Sequence, residues 1–138
     1  MMAERVLVAD DEPATTELMA LVLEHAGFDV IRAFDGNEAL ERVRHERPDA
    51  VLLDVMMPTM DGREVTRRLR SDPRLADTPI ALFSSIDEPD VDWRAAGADA
   101  FLQKAFEIRE LPDFVRDLIE RRRAQETGDD APQQRAGA

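Results

Sequence analysis

Five polar side chains hold equivalent places in this sequence, each at the end of a short apolar run or just beyond it. Asp10 and Asp11 follow Val6-Leu7-Val8-Ala9, and Asp54 follows Ala50-Val51-Leu52-Leu53. Ser84 follows Ile80-Ala81-Leu82-Phe83, and Lys104 stands one residue beyond Ala100-Phe101-Leu102. If these runs are strands of one parallel sheet, the five side chains converge on its carboxyl edge, where open sheets of this kind bind ligands. Carboxylates crowded there repel and raise each other's pKa unless something positive sits among them. A hard divalent cation is the natural partner. Mg2+ takes a few carboxylate oxygens and keeps positions for water and phosphate oxygens. Lys104, a point charge on a flexible stem, can neutralise Asp54 at rest and a phosphoryl oxygen later. Flanked by Mg2+ and Lys104, Asp54 is a nucleophile toward phosphorus and its product is an acyl phosphate.

Each residue alone has a plainer reading. An Asp at a strand end is usually an Asx turn or a helix N-cap. Ser84 by itself is a turn residue, Phe101 a core residue, and Met56 and Met57 loop packing. His25 and His45 fall at helix C-terminal ends, where they complement the dipole. Arg63, Arg67, Arg68 and Arg70 give a solvated helix face. The joint placement of the five is what singles them out.

The elements that must position them are legible. The apolar runs, with Val30-Ile31 as a fifth, are continuous, as in parallel strands covered on both faces. Between them lie helical patterns: Leu18, Met19, Val22, Leu23 and Ala26; Ala39, Leu40 and Val43; Val65 and Leu69. Gly27 ends the first, and Asp35 and Asp61 cap the second and third. Leu111, Phe114, Val115, Leu118 and Ile119 repeat at helical spacing and predict a last helix over 108–123. The fourth helix is thin, with Val91 and Trp93 as its large apolar anchors, and is expected to be short or irregular. Strand–helix alternation repeated five times gives a doubly wound (βα)5 α/β domain with right-handed crossovers. Residues 1–123 are expected to form this domain, and 124–138, without a large apolar residue, a disordered acidic and polar tail.

Composition narrows the function. The 138 residues carry 30 acidic and 18 basic side chains, a net charge of −12, which argues against a nucleic-acid partner. There is no cysteine, hence no disulfide, thiolate metal site or cysteine nucleophile. No apolar run suits a signal peptide or a membrane span, so a cytoplasmic protein without a membrane partner is expected. Of the 18 basic residues, 17 are arginine and Lys104 is the only lysine. Arginine-rich coding would produce this by itself; the sharper reading is that a compact ammonium is needed at that one place, where a planar guanidinium would not fit.

The set Asp10-Asp11, Asp54 within Leu52-Leu53-Asp54-Val55-Met56-Met57-Pro58-Thr59-Met60-Asp61-Gly62, Ser84, and Ala96-Gly97-Ala98-Asp99-Ala100-Phe101-Leu102-Gln103-Lys104 resembles the receiver domain of two-component response regulators. The resemblance covers roughly residues 4–123. It implies a flavodoxin-like three-layer sandwich with strands in the order 2-1-3-4-5. It implies a single-domain response regulator whose Asp54 accepts phosphate from a histidine kinase or phosphotransfer protein, with no enzymatic activity beyond Mg2+-dependent self-phosphorylation and autodephosphorylation. Asp11 would ligate Mg2+ directly and Asp10 through water, with Asp54 and the backbone carbonyl of Met56 completing the set. Ser84 and Lys104 would contact the phosphoryl oxygens. The added charge would draw Ser84 inward and let Phe101, the switch aromatic, turn into the space left behind. The face of helix 4, strand 5 and helix 5 would then be read by a protein partner or support a phosphorylation-dependent dimer.

The pattern departs in places. Lys104 is followed by Ala105 where the family has proline, which leaves that loop either trans and rearranged or strained. Ser85 stands where a smaller residue is common. Ser84 to Lys104 spans 20 positions, a short interval whose missing residues fall in the fourth helix. The alternative function is therefore a receiver-like protein-binding module, not phosphorylated, with an atypical output face. A phosphohydrolase acting on small molecules would place its nucleophile after strand 1, and a flavin site would need a Ser/Thr/Gly-rich loop there.

Overall fold

The computed structural model describes residues 3–85 and 92–126. Among them, β1 (Arg5–Ala9), β2 (Asp29–Ala33), β3 (Ala50–Asp54), β4 (Ile80–Ser84) and β5 (Ala100–Gln103) form one parallel sheet. The order is β2-β1-β3-β4-β5, the flavodoxin-like arrangement. β3 and β4 are buried along their whole length, which is why their sequences run apolar without alternation.

Successive side chains leave opposite faces of the sheet and feed two cores. Leu7, Ala9, Val51, Leu53 and Leu82 pack under α2 (Gly36–Glu46), α3 (Gly62–Ser71) and α4 (Trp93–Ala96). Val6, Val8, Leu52 and Phe83 pack under α1 (Pro13–His25) and α5 (Leu111–Glu126). Since β1 leads to β2 on one side and pairs with β3 on the other, the chain reverses direction across the sheet at β1. The carboxyl ends of β1 and β3 thus open a crevice.

Caps fall where the sequence signals them. Asp35 accepts the Glu38 N–H, and Asp61 accepts those of Arg63 and Glu64. Gly27, at φ 102°, supplies the left-handed turn after α1. Gly62 is required by closeness: a Cβ there would lie 2.4 Å from the Asp54 carbonyl oxygen. Asp61-Gly62 therefore starts α3 tight against the end of β3.

Two expectations shift, and the fourth helix is as short as expected. Leu18 is not a core residue of α1; it is 52% exposed, because Thr16, Met19, Ala20 and Leu23 fill the face toward the sheet. The last helix starts with a 3-10 turn at Ile108–Glu110 and continues to Glu126, three residues past Arg123. The rest of the expected tail, 127–138, lies outside the described residues. The fourth helix is short, four residues from Trp93 to Ala96, with Asp92 capping the Ala95 N–H and Gly97 ending it at φ 100°. Val91 lies outside the described residues, and Trp93 is buried. No helix among the described residues is long and apolar enough to cross a membrane.

Candidate functional site

The strand ends deliver the five expected side chains to one place. Asp54 is the last residue of β3 and Ser84 the last of β4; both are buried, as is Asp10, one residue past β1. Asp11 follows into solvent at the mouth, where Glu12, Met56, Ser85 and Lys104 also line the opening above Asp54. Oxygens of Asp10, Asp11 and Asp54 lie within 4.8 Å of one another.

Lys104 closes the group from the other side. Its Nζ stands 2.9 Å from Asp10 Oδ2 and 3.1 Å from Asp54 Oδ2. The backbone explains the reach. Lys104 N–H donates to the Ser84 carbonyl at 2.8 Å, extending the β4–β5 ladder one residue past Gln103. The peptide to Ala105 is trans, so the residue that replaces proline leaves the lysine seated on both carboxylates.

Neighbouring groups fix the carboxylates. Asp10 Oδ1 accepts the Glu12 N–H at 2.9 Å, while the Asp10 carbonyl takes the hydroxyl of Thr16 at 3.0 Å. Asp54 Oδ1 accepts the Met56 N–H at 3.3 Å. Thr16 was not foreseen from sequence, although a hydroxyl on the sheet-facing stripe of α1 is the signal that could have found it. The Met56 side chain is 57% exposed, unlike the loop packing expected of it, whereas Met57 is buried.

One lysine cannot balance three carboxylates. Burial, and then the charge of Asp10, push the Asp54 carboxyl up to about 6, against the opposing hydrogen bond from Lys104. Burial alone would lower the Lys104 ammonium, but its close pairing with the Asp10 carboxylate and the hydrogen bond it donates to Asp54 carry it above its ordinary value. The lysine thus gains two partners, while each carboxylate gains half a lysine and a like-charged neighbour. Asp10 Oδ2 is buried and, despite its 2.9 Å contact with Nζ, has no hydrogen bond of good geometry. An unsatisfied buried oxygen beside two further carboxylates, all-oxygen and partly open to solvent, is a donor set suited to a hard divalent cation.

Ser84, the last residue of β4, pairs in register with Gln103, and the residue before it, Phe83, pairs with Asp54. Phe101 is 7% exposed and shares the α2–α4 core with Trp93, Leu69 and Leu82, so its ring is already turned inward.

Comparison with known proteins gives the same picture. A family model described as response regulator receiver domain matches residues 6–116. The response regulator MprA of Mycobacterium sp. (strain KMS) is 43% identical over 133 residues, which are 95% of this chain and 56% of that protein. The DNA-binding dual master transcriptional regulator RpaA of Synechocystis sp. is 37% identical over 119 residues, 85% of this chain and 49% of that protein. The chain thus spans about half the length of the curated relatives it matches. A putative response regulator from Chloroflexus aurantiacus superposes with TM-score 0.81 and 33% identity, over 87% of this chain and 100% of that one. The receiver domain of sensor histidine kinase PA1611 from Pseudomonas aeruginosa, which has a magnesium ion coordinated in its active site cleft, gives TM-score 0.78 at 25% identity, over 86% and 99% of the two chains.

Proposed function

Because the chain belongs to the receiver-domain family of response regulators, we propose that it is a phosphorylation-dependent switch in which Asp54 accepts a phosphoryl group from a histidine kinase or phosphotransfer protein. The observation that carries this reading is the position of Lys104 Nζ, 3.1 Å from Asp54 Oδ2 at the open end of β3. An Asp54 carboxylate oxygen attacks phosphorus, the P–N bond of the donor phosphohistidine breaks, and the imidazole leaves with a proton. The product is an acyl phosphate on Asp54.

Asp54 must be ionised to attack, and a pKa of about 6 leaves it largely so near neutral pH. Lys104 holds the attacking carboxylate and then follows the charge onto a phosphoryl oxygen. Ser84, buried at the end of β4 one residue past Phe83, the register partner of Asp54, would offer its hydroxyl to another. Asp10, Asp11, Asp54 and the Met56 carbonyl would hold Mg2+, which when bound neutralises charge on the transferring group. Asp10 already faces Lys104 and is buried, which favours Asp11, exposed at the mouth, as the more direct ligand.

Output runs through α4, β5 and α5 to a protein partner. Phosphorylation adds roughly −1.5 to −2 charge beside Ser84, and Ser84 connects through its carbonyl to Lys104 and thus to the end of β5. Phe101 is inward in the unphosphorylated chain, so its response is a repacking against Trp93 and not an entry from solvent. The net charge of −12 keeps the receiver unit itself off nucleic acid.

Intact-mass measurement after incubation with Mg2+ and phosphoramidate tests the reading. One phosphate on the wild type and none on Asp54→Ala is the expected result. No phosphate on the wild type overturns it and leaves the protein-binding module, which the four-residue α4 favours.

A further inference from the structure

The loop between β3 and α3 leaves Asp54 through Met56 and is pinned at its far end by an unusual residue. Thr59 has φ 66°, in the left-handed region that a β-branched side chain rarely adopts and that glycine or asparagine enters easily. No packing rewards the threonine there, because its side chain is exposed. Its hydroxyl is employed: Thr59 Oγ1 accepts the Asn37 N–H at 3.0 Å and donates to Asp35 Oδ1 at 3.3 Å. Both partners belong to the N-terminus of α2, where Asp35 also caps the Glu38 N–H at 2.8 Å. The contact is close on the backbone as well. Gly36 N–H donates to the Pro58 carbonyl at 3.2 Å, and a Cβ on Gly36 would collide with the Met60 carbonyl.

At its near end the same loop touches the site. Met56 N–H donates to Asp54 Oδ1, and the Gly62 N–H returns to the Val55 carbonyl at 3.0 Å. The loop is therefore held between the acceptor carboxylate and the start of α2, with Thr59 three residues from Met56. A backbone strained for the sake of one hydroxyl points to a role for that hydroxyl.

We infer that Thr59 is a positioning residue: its hydroxyl latches the β3–α3 loop to the N-terminus of α2 and thereby sets where the Met56 carbonyl and the Asp54 carboxylate stand for a divalent cation. The inference rests on the function proposed above. It assigns α2, which contributes no ligand, a share in holding the metal site. Outer contacts of this kind govern affinity because a loosened ligand costs more to order on binding.

The test is Mg2+ affinity by isothermal titration calorimetry, read beside the metal-free melting temperature. Thr59→Gly removes the hydroxyl and relieves the backbone, so the metal-free protein melts no lower while Mg2+ binds about tenfold more weakly. Thr59→Ser keeps the hydroxyl and binds within about twofold of the wild type. Asp35→Ser keeps a helix cap but is too short to reach Thr59, and weakens Mg2+ as Thr59→Gly does. Unchanged affinity in Thr59→Gly, or a loss as large in Thr59→Ser, overturns the latch while leaving the phosphoacceptor reading intact. Absence of Mg2+ binding to the wild type overturns both.

Discussion

The Lys104 ammonium lies 3.1 Å from Asp54 Oδ2, across fifty positions of sequence, and the same nitrogen lies 2.9 Å from Asp10 Oδ2. One cation therefore serves two carboxylates, and under the proposed function it is the group that would follow the charge onto a phosphoryl oxygen. Lys104→Met leaves Asp54 facing only Asp10 and Asp11, so its pKa rises further and the transferring group loses a fixed positive charge. Phosphorylation by phosphoramidate should slow by about a hundredfold, followed by intact mass. Lys104→Arg should recover little of this rate, because the planar guanidinium does not fit where an ammonium contacts two oxygens of different residues.

The position of Asp54 at about 6, above its usual 3.8, fixes a pH dependence. The fold favours the protonated carboxyl, so in metal-free protein its stabilising contribution is complete below the ordinary pKa and is lost as pH rises through about 6. The loss is on the order of 3 kcal/mol at most, taking about 1.4 kcal/mol per pH unit. Protons and Mg2+ compete for the same oxygens. Mg2+ affinity by calorimetry should therefore be roughly constant above pH 7 and fall by about tenfold per unit below pH 6. An affinity flat between pH 7.5 and 5 would show that Asp54 does not hold the ion.

The parallel sheet and the polar residues at or just past its strand ends were legible in the sequence, because continuous apolar runs and the residues following them mark those ends, whereas the strand order came only with the resemblance to receiver domains. What escaped was the support beneath them. Thr16 is a hydroxyl on a core-facing helix position, and only the folded structure shows that its partner is the Asp10 carbonyl. Thr59 looks like any loop residue until its φ and its contacts with α2 are known. Leu18 fits the helical apolar pattern yet faces outward, since small Thr16 and Ala20 already occupy the stripe with Met19 and Leu23. The effect of Ala105 also needed the structure: the β4–β5 ladder, and not the residue after it, seats Lys104.

Asp10 offers a test of the crowding itself. Its carboxylate is wholly buried, and Oδ2 lacks a well-formed hydrogen bond. Asp10→Asn keeps the shape and the acceptor for the Glu12 N–H while removing one of three negative charges. In metal-free protein at pH 7.5 it should raise the melting temperature by a few degrees, about 1 kcal/mol. With saturating Mg2+ the wild type should gain several degrees and the variant much less. A variant that melts below the wild type without metal would mean that the Lys104 pairing outweighs the repulsion.

Met56 flanks Asp54 with an exposed, apolar side chain that cannot orient a water for attack on the acyl phosphate. Met56→Asn supplies an amide at that place. Dephosphorylation, followed by intact mass after the donor is removed, should become several-fold faster. An unchanged lifetime would show that water reaches phosphorus along another line.

Leu18 and Leu21 are 52% and 53% exposed, three residues apart on the outer face of α1 and opposite its buried stripe. The helix starts at Pro13, which lines the mouth above Asp54 together with Asp11 and Glu12. A protein donor that brings a phosphohistidine to Asp54 would cover the rim of that mouth, and the outer face of α1 runs on from the rim at Pro13. A small phosphodonor needs no such surface. The double variant Leu18→Ala, Leu21→Ala removes apolar contact without adding charge or disturbing the core, so the melting temperature should stay within a degree or two. Phosphotransfer from a histidine kinase should slow by about tenfold, the loss expected for truncating central apolar anchors. Phosphorylation by phosphoramidate should be unchanged. Equal slowing with both donors would place the effect in the site, and no slowing with either would move the donor to a different face.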